Sequence, residues 1–176
     1  AIQAVGGNLL AFTDPHDSVG WMDRYFPEAE YFQEFARFDR YVDLVRRKGL
    51  SIDWCVIATP NYLHDPFCRW ALRNGMNVIC EKPLVTREHN LDALKALESE
   101  TGKTVYTVLQ LRAHPEAERM KMCHGAEEVF NRMASIEIPR VHKVNIDYVT
   151  PRGQWYLHSW KGDPKKSGGL AANIGV

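Results

Sequence analysis

Short, continuous apolar runs alternate along this chain with longer segments whose apolar residues recur at helical spacing. Leu9-Leu10-Ala11-Phe12-Thr13 reads as a buried strand that gives way to a loop at Asp14-Pro15. Phe26 to Lys48 predicts a mostly helical segment with an aromatic stripe at Tyr31, Phe32, Phe35, Phe38 and Tyr41. Its basic end, Arg46-Arg47-Lys48, suits a helix C-terminus facing the macrodipole, and Gly49 follows as a stop. Such a stripe is read as packing rather than as a ligand platform. Trp54-Cys55-Val56-Ile57-Ala58 has the unbroken apolar character of a parallel strand covered on both faces. Phe67, Ala71 and Leu72 then recur at helical spacing up to Gly75, and Val78-Ile79-Cys80 is the next strand. Thr86 is expected to cap a helix whose face carries Leu91, Leu94 and Leu97 and which stops at Gly102. Val105-Tyr106-Thr107-Val108-Leu109 is a further strand.

This alternation predicts an α/β fold: a parallel sheet with right-handed crossovers, which binds ligands at the C-terminal ends of its strands. Asp14, Thr59-Pro60-Asn61, Glu81-Lys82-Pro83 and Gln110-Leu111-Arg112 all fall at such ends, and are expected on one edge of one sheet. From Ala113 the texture changes. A helix of mixed charge is expected to about Met133, and His142 to Tyr148 then alternates polar with apolar, the mark of a sheet with one wet face. The division expected is therefore residues 1–112 as one domain and 113–176 as the opening of a second, α+β domain with a largely antiparallel sheet. Arg152 to Gly169 has no periodicity and mixes aromatic rings, cations and glycines.

Charge and composition remove several classes. Lys plus Arg and Asp plus Glu each number 22, so no net field draws nucleic acid or anionic membrane. No apolar run approaches the ~20 residues of a membrane span. Ala1-Ile2-Gln3-Ala4-Val5 lacks the basic region and apolar core of a signal peptide, so a cytoplasmic protein is expected. The four cysteines, Cys55, Cys68, Cys80 and Cys123, form no C-x-x-C pair, and the seven histidines show no metal-ligand spacing. No metal is expected, and Cys55 and Cys80 read as small core residues. The first residue is not Met, and the pattern at Asn173-Ile174-Gly175-Val176 carries no helix stop, so the chain reads as a fragment.

One short stretch points to chemistry. In Val78-Ile79-Cys80-Glu81-Lys82-Pro83-Leu84 an apolar run meets a Glu-Lys-Pro corner. A lysine at the end of a buried strand is costly unless its charge is used. Pro83 fixes its own φ and disfavours the α region for Lys82, so the ammonium is held. The competing reading is a solvated turn.

Ala58-Thr59-Pro60-Asn61-Tyr62-Leu63-His64 followed by Cys80-Glu81-Lys82-Pro83-Leu84 resembles the Gfo/Idh/MocA oxidoreductase superfamily. Leu109-Gln110-Leu111-Arg112, Arg152-Gly153-Gln154-Trp155-Tyr156-Leu157 and Ser159-Trp160-Lys161-Gly162-Asp163-Pro164 resemble one branch of it, the UDP-N-acetyl-2-amino-2-deoxyglucuronate dehydrogenases. These oxidise C3 of a UDP-linked N-acetylglucosaminuronic acid in O-antigen synthesis. The resemblance implies a Rossmann-type NAD-binding domain.

The resemblance also implies roles. Asp14 would bind the adenosine ribose and favour NAD over NADP, since its carboxylate repels a 2′-phosphate; otherwise it is a turn Asp before Pro15. Thr59, Pro60 and Asn61 would line the cofactor. His64 would join them or act in the first turn of a helix. Glu81 would contact the nicotinamide ribose, Lys82 would reach the hydroxyl being oxidised, and Gln110 and Arg112 would stand beside nicotinamide and substrate. Arg152, Trp155, Tyr156, Trp160, Lys161 and Asn173 would meet the nucleotide sugar, unless Trp155 and Trp160 are core of the second domain. Relatives carry a histidine four residues after the position of Asn173, on the same helix face, which here would be position 177; many relatives have Asp at position 173 itself. The family's glycine-rich loop would precede Ala1, so this polypeptide is expected to bind NAD poorly and be inactive. A dimer or tetramer is implied. A dehydrogenase of a free sugar or polyol, and a catalytically silent NAD-binding protein, are the other readings.

Overall fold

A computed structural model describes residues 2–17, 20–122, 147, 149 and 151–174. It separates into two compact units, Ala1–Ile52 and Asp53–Val176.

In the first unit, β1 (Ala11–Thr13) pairs in parallel with β2 (Glu30–Phe32), and helices α1 (Gly20–Tyr25) and α2 (Phe35–Arg47) flank β2 in sequence. The helix expected from Phe26 to Lys48 is therefore interrupted. Pro27 and the strand-forming pair Tyr31-Phe32 favour an extended segment, and only the part from Phe35 onward has a helical apolar face, with Val42 and Val45 buried. The aromatic stripe is packing, as expected: Phe32 lies 5.2 Å from Tyr41 and 6.1 Å from Phe38, between ring centroids. Gly49, at φ 79°, closes α2 with Gly49 N–H donating to Arg46 O and Leu50 N–H to Val45 O.

In the second unit, β3 (Trp54–Ile57), β4 (Asn77–Glu81) and β5 (Val105–Val108) form a parallel sheet in the order β3-β4-β5. Crossover helices α3 (His64–Arg73) and α4 (Asn90–Thr101) pack against each other, and α3 lies on β3 and β4. Residues His64, Cys68, Ala71 and Leu72 make the buried face of α3, and Leu94 and Leu97 that of α4. The α3 face packs on the central strand, where Val78 and Cys80 are buried. Gly75, at φ 78°, ends α3 in a Schellman turn: Met76 N–H donates to Ala71 O and Gly75 N–H to Leu72 O, and the Met76 side chain is buried beneath.

Several expectations change here. Thr86 does not cap α4, which starts four residues later, after His89, because residues 84–89 form turns. The sheet is not covered on both faces among the described residues: Trp54, Val56 and Tyr106 are 48%, 58% and 53% exposed, and the first and last pair their rings at 5.7 Å. Asp14 ends a strand of the two-stranded sheet, not of the sheet that carries the other three polar clusters. Beyond β5, helix α5 covers residues 115–122. The rest of the helix expected to Met133 lies outside the described residues, as does the alternating stretch 142–148 apart from Asp147. Residues 152–169, without periodicity in sequence, fold into short helical turns: α6 (Trp155–His158), a 3-10 turn at Trp160–Gly162, α7 (Pro164–Ser167) and then α8 (Gly169–Ile174).

Cys55 lies on the helix-covered face of β3, and burial first, then the neighbouring Cys68, pushes its thiol from 9.0 up to about 12. The folded state thus keeps a proton that the unfolded chain loses near pH 9. Stability is expected to be unaffected below that pH and to fall between about pH 9 and 12, by at most about 1.4 kcal/mol per pH unit from this group. Urea melts of Cys55→Ala against the parent chain should show a flatter alkaline limb.

Candidate active site

Three loops leave the C-terminal edge of the β3-β4-β5 sheet, and each carries expected site residues. The ladder between β3 and β4 ends at Ile57 and Cys80, and the one between β4 and β5 at Glu81 and Val108. Beyond those pairs, side chains hold the loops. Glu81 Oε2 accepts from Lys82 N–H at 3.3 Å, folding the carboxylate back on its own corner. The Lys82–Pro83 peptide is cis. Lys82 is half-buried and Pro83 buried, so the corner is an inserted part of the edge rather than a solvated turn.

The loop after β3 is tied in two directions. Pro60 opens a 3-10 turn at Asn61–Leu63. Asn61, 4% exposed, donates from Nδ2 to Ser167 O at 2.7 Å. His64, wholly buried, places Nδ1 2.7 Å from Pro83 O and Nε2 2.8 Å from Thr59 O. Two residues expected at the cofactor thus have their side-chain nitrogens directed to backbone carbonyls inside the unit. His64 in particular has no surface to offer a ligand. By contrast, the Thr59 hydroxyl is sealed from solvent and has no hydrogen-bond partner. A buried hydroxyl without a partner is destabilising unless a further group completes it. Among the described residues Thr59 Oγ1 is the buried side-chain polar atom left without a partner.

Gln110 and Arg112 sit in a 3-10 turn after β5 and are exposed, with Arg112 N–H donating to Leu109 O at 3.0 Å. In the other unit, Asp14 follows β1 directly. Its Oδ1 accepts from His16 N–H at 2.8 Å, which makes it a turn-forming Asp, and its half-buried carboxylate keeps a second oxygen.

The segment after residue 151 forms a cation–aromatic cluster. The Arg152 guanidinium lies 4.2 Å from the Tyr156 ring centre, and Lys161 Nζ lies 5.5 and 5.7 Å from Trp155 and Trp160. Trp155 is 59% exposed, so it is not core among the described residues; Trp160 is half-buried. Ser159 caps the turn at Lys161 N–H, and Asp163 caps α7 at Lys165 N–H. Gly162 is required by space, since a Cβ there would lie 2.6 Å from Tyr156 O. Asn173 lies in α8. Sequence reasoning missed Ser167, whose carbonyl holds Asn61. It also missed a cavity of about 290 Å³ lined by Thr86, Arg87, Pro164, Lys165 and Gly168. The glycine pair after Ser167 was the one local sign of a tight approach, and Gly168 does stand at φ 83° against Thr86.

The Asn61–Ser167 bond gives a direct test. Asn61→Ala removes the donor from a buried carbonyl and is expected to cost about 1–3 kcal/mol in chemical denaturation.

A parallel sheet with crossover helices and polar loops at its C-terminal edge defines an α/β protein of the Rossmann type. The family model described as "Oxidoreductase family, NAD-binding Rossmann fold" matches residues 2–109, and the chain belongs to this Gfo/Idh/MocA family. Two crystal structures of the WlbA (WbpB) dehydrogenase from Thermus thermophilus are similar over 99% of this chain. One, with NAD and alpha-ketoglutarate, has 45% identity and a TM-score of 0.82. The other, with NAD and UDP-GlcNAcA, has 46% and 0.81. In each the chain spans 53% of the solved chain, about half its length. The D-xylose 1-dehydrogenase (NADP(+)) 2 of Haloferax volcanii is 28% identical over 125 residues, 71% of this chain and 35% of that protein. Among the described residues no helix is long and apolar enough to cross a membrane, and no group of three or more His, Cys, Asp or Glu could hold a metal.

Proposed function

We propose that this chain is part of an NAD-dependent dehydrogenase that oxidises the C3 hydroxyl of UDP-N-acetylglucosaminuronic acid to the 3-keto sugar, in surface-polysaccharide synthesis. The similarity to the Thermus thermophilus WlbA structures, running over 99% of this chain, carries the reading. The fit of the residues supports it. Thr59 offers an unsatisfied buried hydroxyl, Asp14 keeps a carboxylate oxygen for a ribose hydroxyl, and the Glu81-Lys82-Pro83 corner stands at the strand edge where Rossmann folds take their ligands.

Bound NAD supplies the hydride acceptor. Lys82 directs an ammonium to the hydroxyl that loses its proton, where it stabilises the developing alkoxide or relays the proton. Glu81 and Thr59 orient the dinucleotide, with Gln110 and Arg112 on the neighbouring loop. The rings of Trp155, Tyr156 and Trp160 pack on uracil and sugar, while Arg152 and Lys161 meet diphosphate and carboxylate. In this reading residues 113–176 open the second domain, whose sheet assembles the enzyme as a cytoplasmic dimer or tetramer; sizing the full-length protein checks that.

Full-length protein mixed with NAD and UDP-N-acetylglucosaminuronic acid, with alpha-ketoglutarate present to recycle the cofactor, is expected to yield the 3-keto sugar. Absence of both NADH absorbance and keto product overturns the proposal. The likeness to the Haloferax xylose dehydrogenase favours a second reading, a dehydrogenase of a free sugar. A substrate panel separates the two, since only the first reading requires the UDP moiety.

A further inference from the structure

His64 is a buried titratable group that the proposed chemistry leaves unused. It is the first residue of α3 and has no exposed surface. Its ring lies between two backbone carbonyls, Pro83 O at 2.7 Å from Nδ1 and Thr59 O at 2.8 Å from Nε2. Those carbonyls belong to different loops, which diverge once the β3–β4 ladder has ended at Ile57 and Cys80. The ring is thus a bridge across a gap that backbone pairing does not span.

Both ends of the bridge adjoin candidate chemistry. Thr59 carries the hydroxyl without a partner, and Pro83 follows Lys82 directly. Proline fixes its own φ, so anchoring the Pro83 carbonyl also restrains the ring and the Lys82 carbonyl attached to it. A neutral imidazole has one N–H and can donate to only one of the two carbonyls, whereas a ring with both nitrogens protonated satisfies both. An apolar side chain of similar volume would take the donor from one carbonyl or from both, according to the state of the ring, and leave the two loops untied.

We propose that His64 is a positioning residue: by bridging Thr59 O and Pro83 O it sets the separation between the Thr59 hydroxyl and the Lys82 ammonium. The inference rests on the proposed placement of Lys82 at the reacting hydroxyl, and its test has a readout that needs no turnover.

The test compares acetylation rates of individual lysines by mass spectrometry in this chain, in His64→Leu and in His64→Asn. Lys48, Lys95 and Lys103, far from the bridge in sequence, serve as internal references. In His64→Leu the Lys82 rate is expected to change by about threefold or more while the references stay within about 1.5-fold, the sign of a local rather than global loosening. His64→Asn keeps a donor group, the Nδ2 amide, on a shorter side chain that reaches one carbonyl rather than both, and should give an intermediate shift; it carries the test alone if His64→Leu does not fold. An unchanged Lys82 rate in folded variants overturns the proposal, and so does a uniform rise across all lysines. In the full-length enzyme His64→Leu is expected to lower kcat by about 10²-fold with KM little changed. A selective Lys82 shift in an enzyme with no activity on the UDP sugar would leave the positioning role standing and remove the functional reading.

Discussion

Lys82→Ala in the full-length enzyme is expected to lower kcat by about 10²–10⁴-fold, with NAD affinity and melting temperature close to those of the parent. The reason is positional. Lys82 is half-buried at the end of the central strand, between a carboxylate folded onto its own N–H and a buried proline. In the proposed reaction Lys82→Ala takes away a charge interaction that strengthens as the alkoxide forms. Lys82→Arg is expected to recover little, because a planar guanidinium presents its donors in a different geometry from a compact ammonium. Stopped-flow measurement of NADH formation checks both variants; full activity in Lys82→Ala would exclude the residue from the chemistry.

The largest effect on stability is expected at Leu72. It has no exposed surface and sits on the α3 face with Cys68 and Ala71, in the core that includes Val78 and Cys80 of the central strand. Truncation to alanine removes apolar burial and leaves a cavity in a layer built from a helix and a sheet. A loss of about 2–5 kcal/mol is expected, measurable in urea melts. Leu44, 48% exposed on α2, is the control: its truncation should cost well under half as much.

These two residues differ in how visible they were in the sequence. Leu72 belongs to a helical repeat that ends at Gly75, and the repeat alone placed it in the core. The same holds for β3, β4 and β5, whose apolar runs were bounded by glycines and prolines. Strand β2 was hidden because Tyr31 and Phe32 fit a helical stripe as well as a strand, and pairing with β1 decided between them. Thr86 had the chemistry of a cap, yet the helix began after the turns at residues 84–89.

In the candidate site, Lys82 and Glu81 were legible because a charge at the end of an apolar run needs a reason. Asn61 and His64 stand out in the sequence as polar residues after an apolar strand, and His64 does open α3, one of the two places expected for it; what the sequence does not show is what their side-chain nitrogens face. Their partners are backbone carbonyls, and a carbonyl leaves no trace in the identity of a residue. The Asn61 partner is also 106 positions away, beyond any local pattern.

Gly162 carries a consequence for how this scaffold can change. The turn that carries Trp160 and Lys161 ends at Gly162 against the backbone of Tyr156 and Leu157, which leaves no room for a side chain at that point. Under the proposed function, a new ligand preference at this cluster is therefore expected to come from exchanging the rings and cations mounted on the frame, one at a time, rather than from bending the backbone at Gly162.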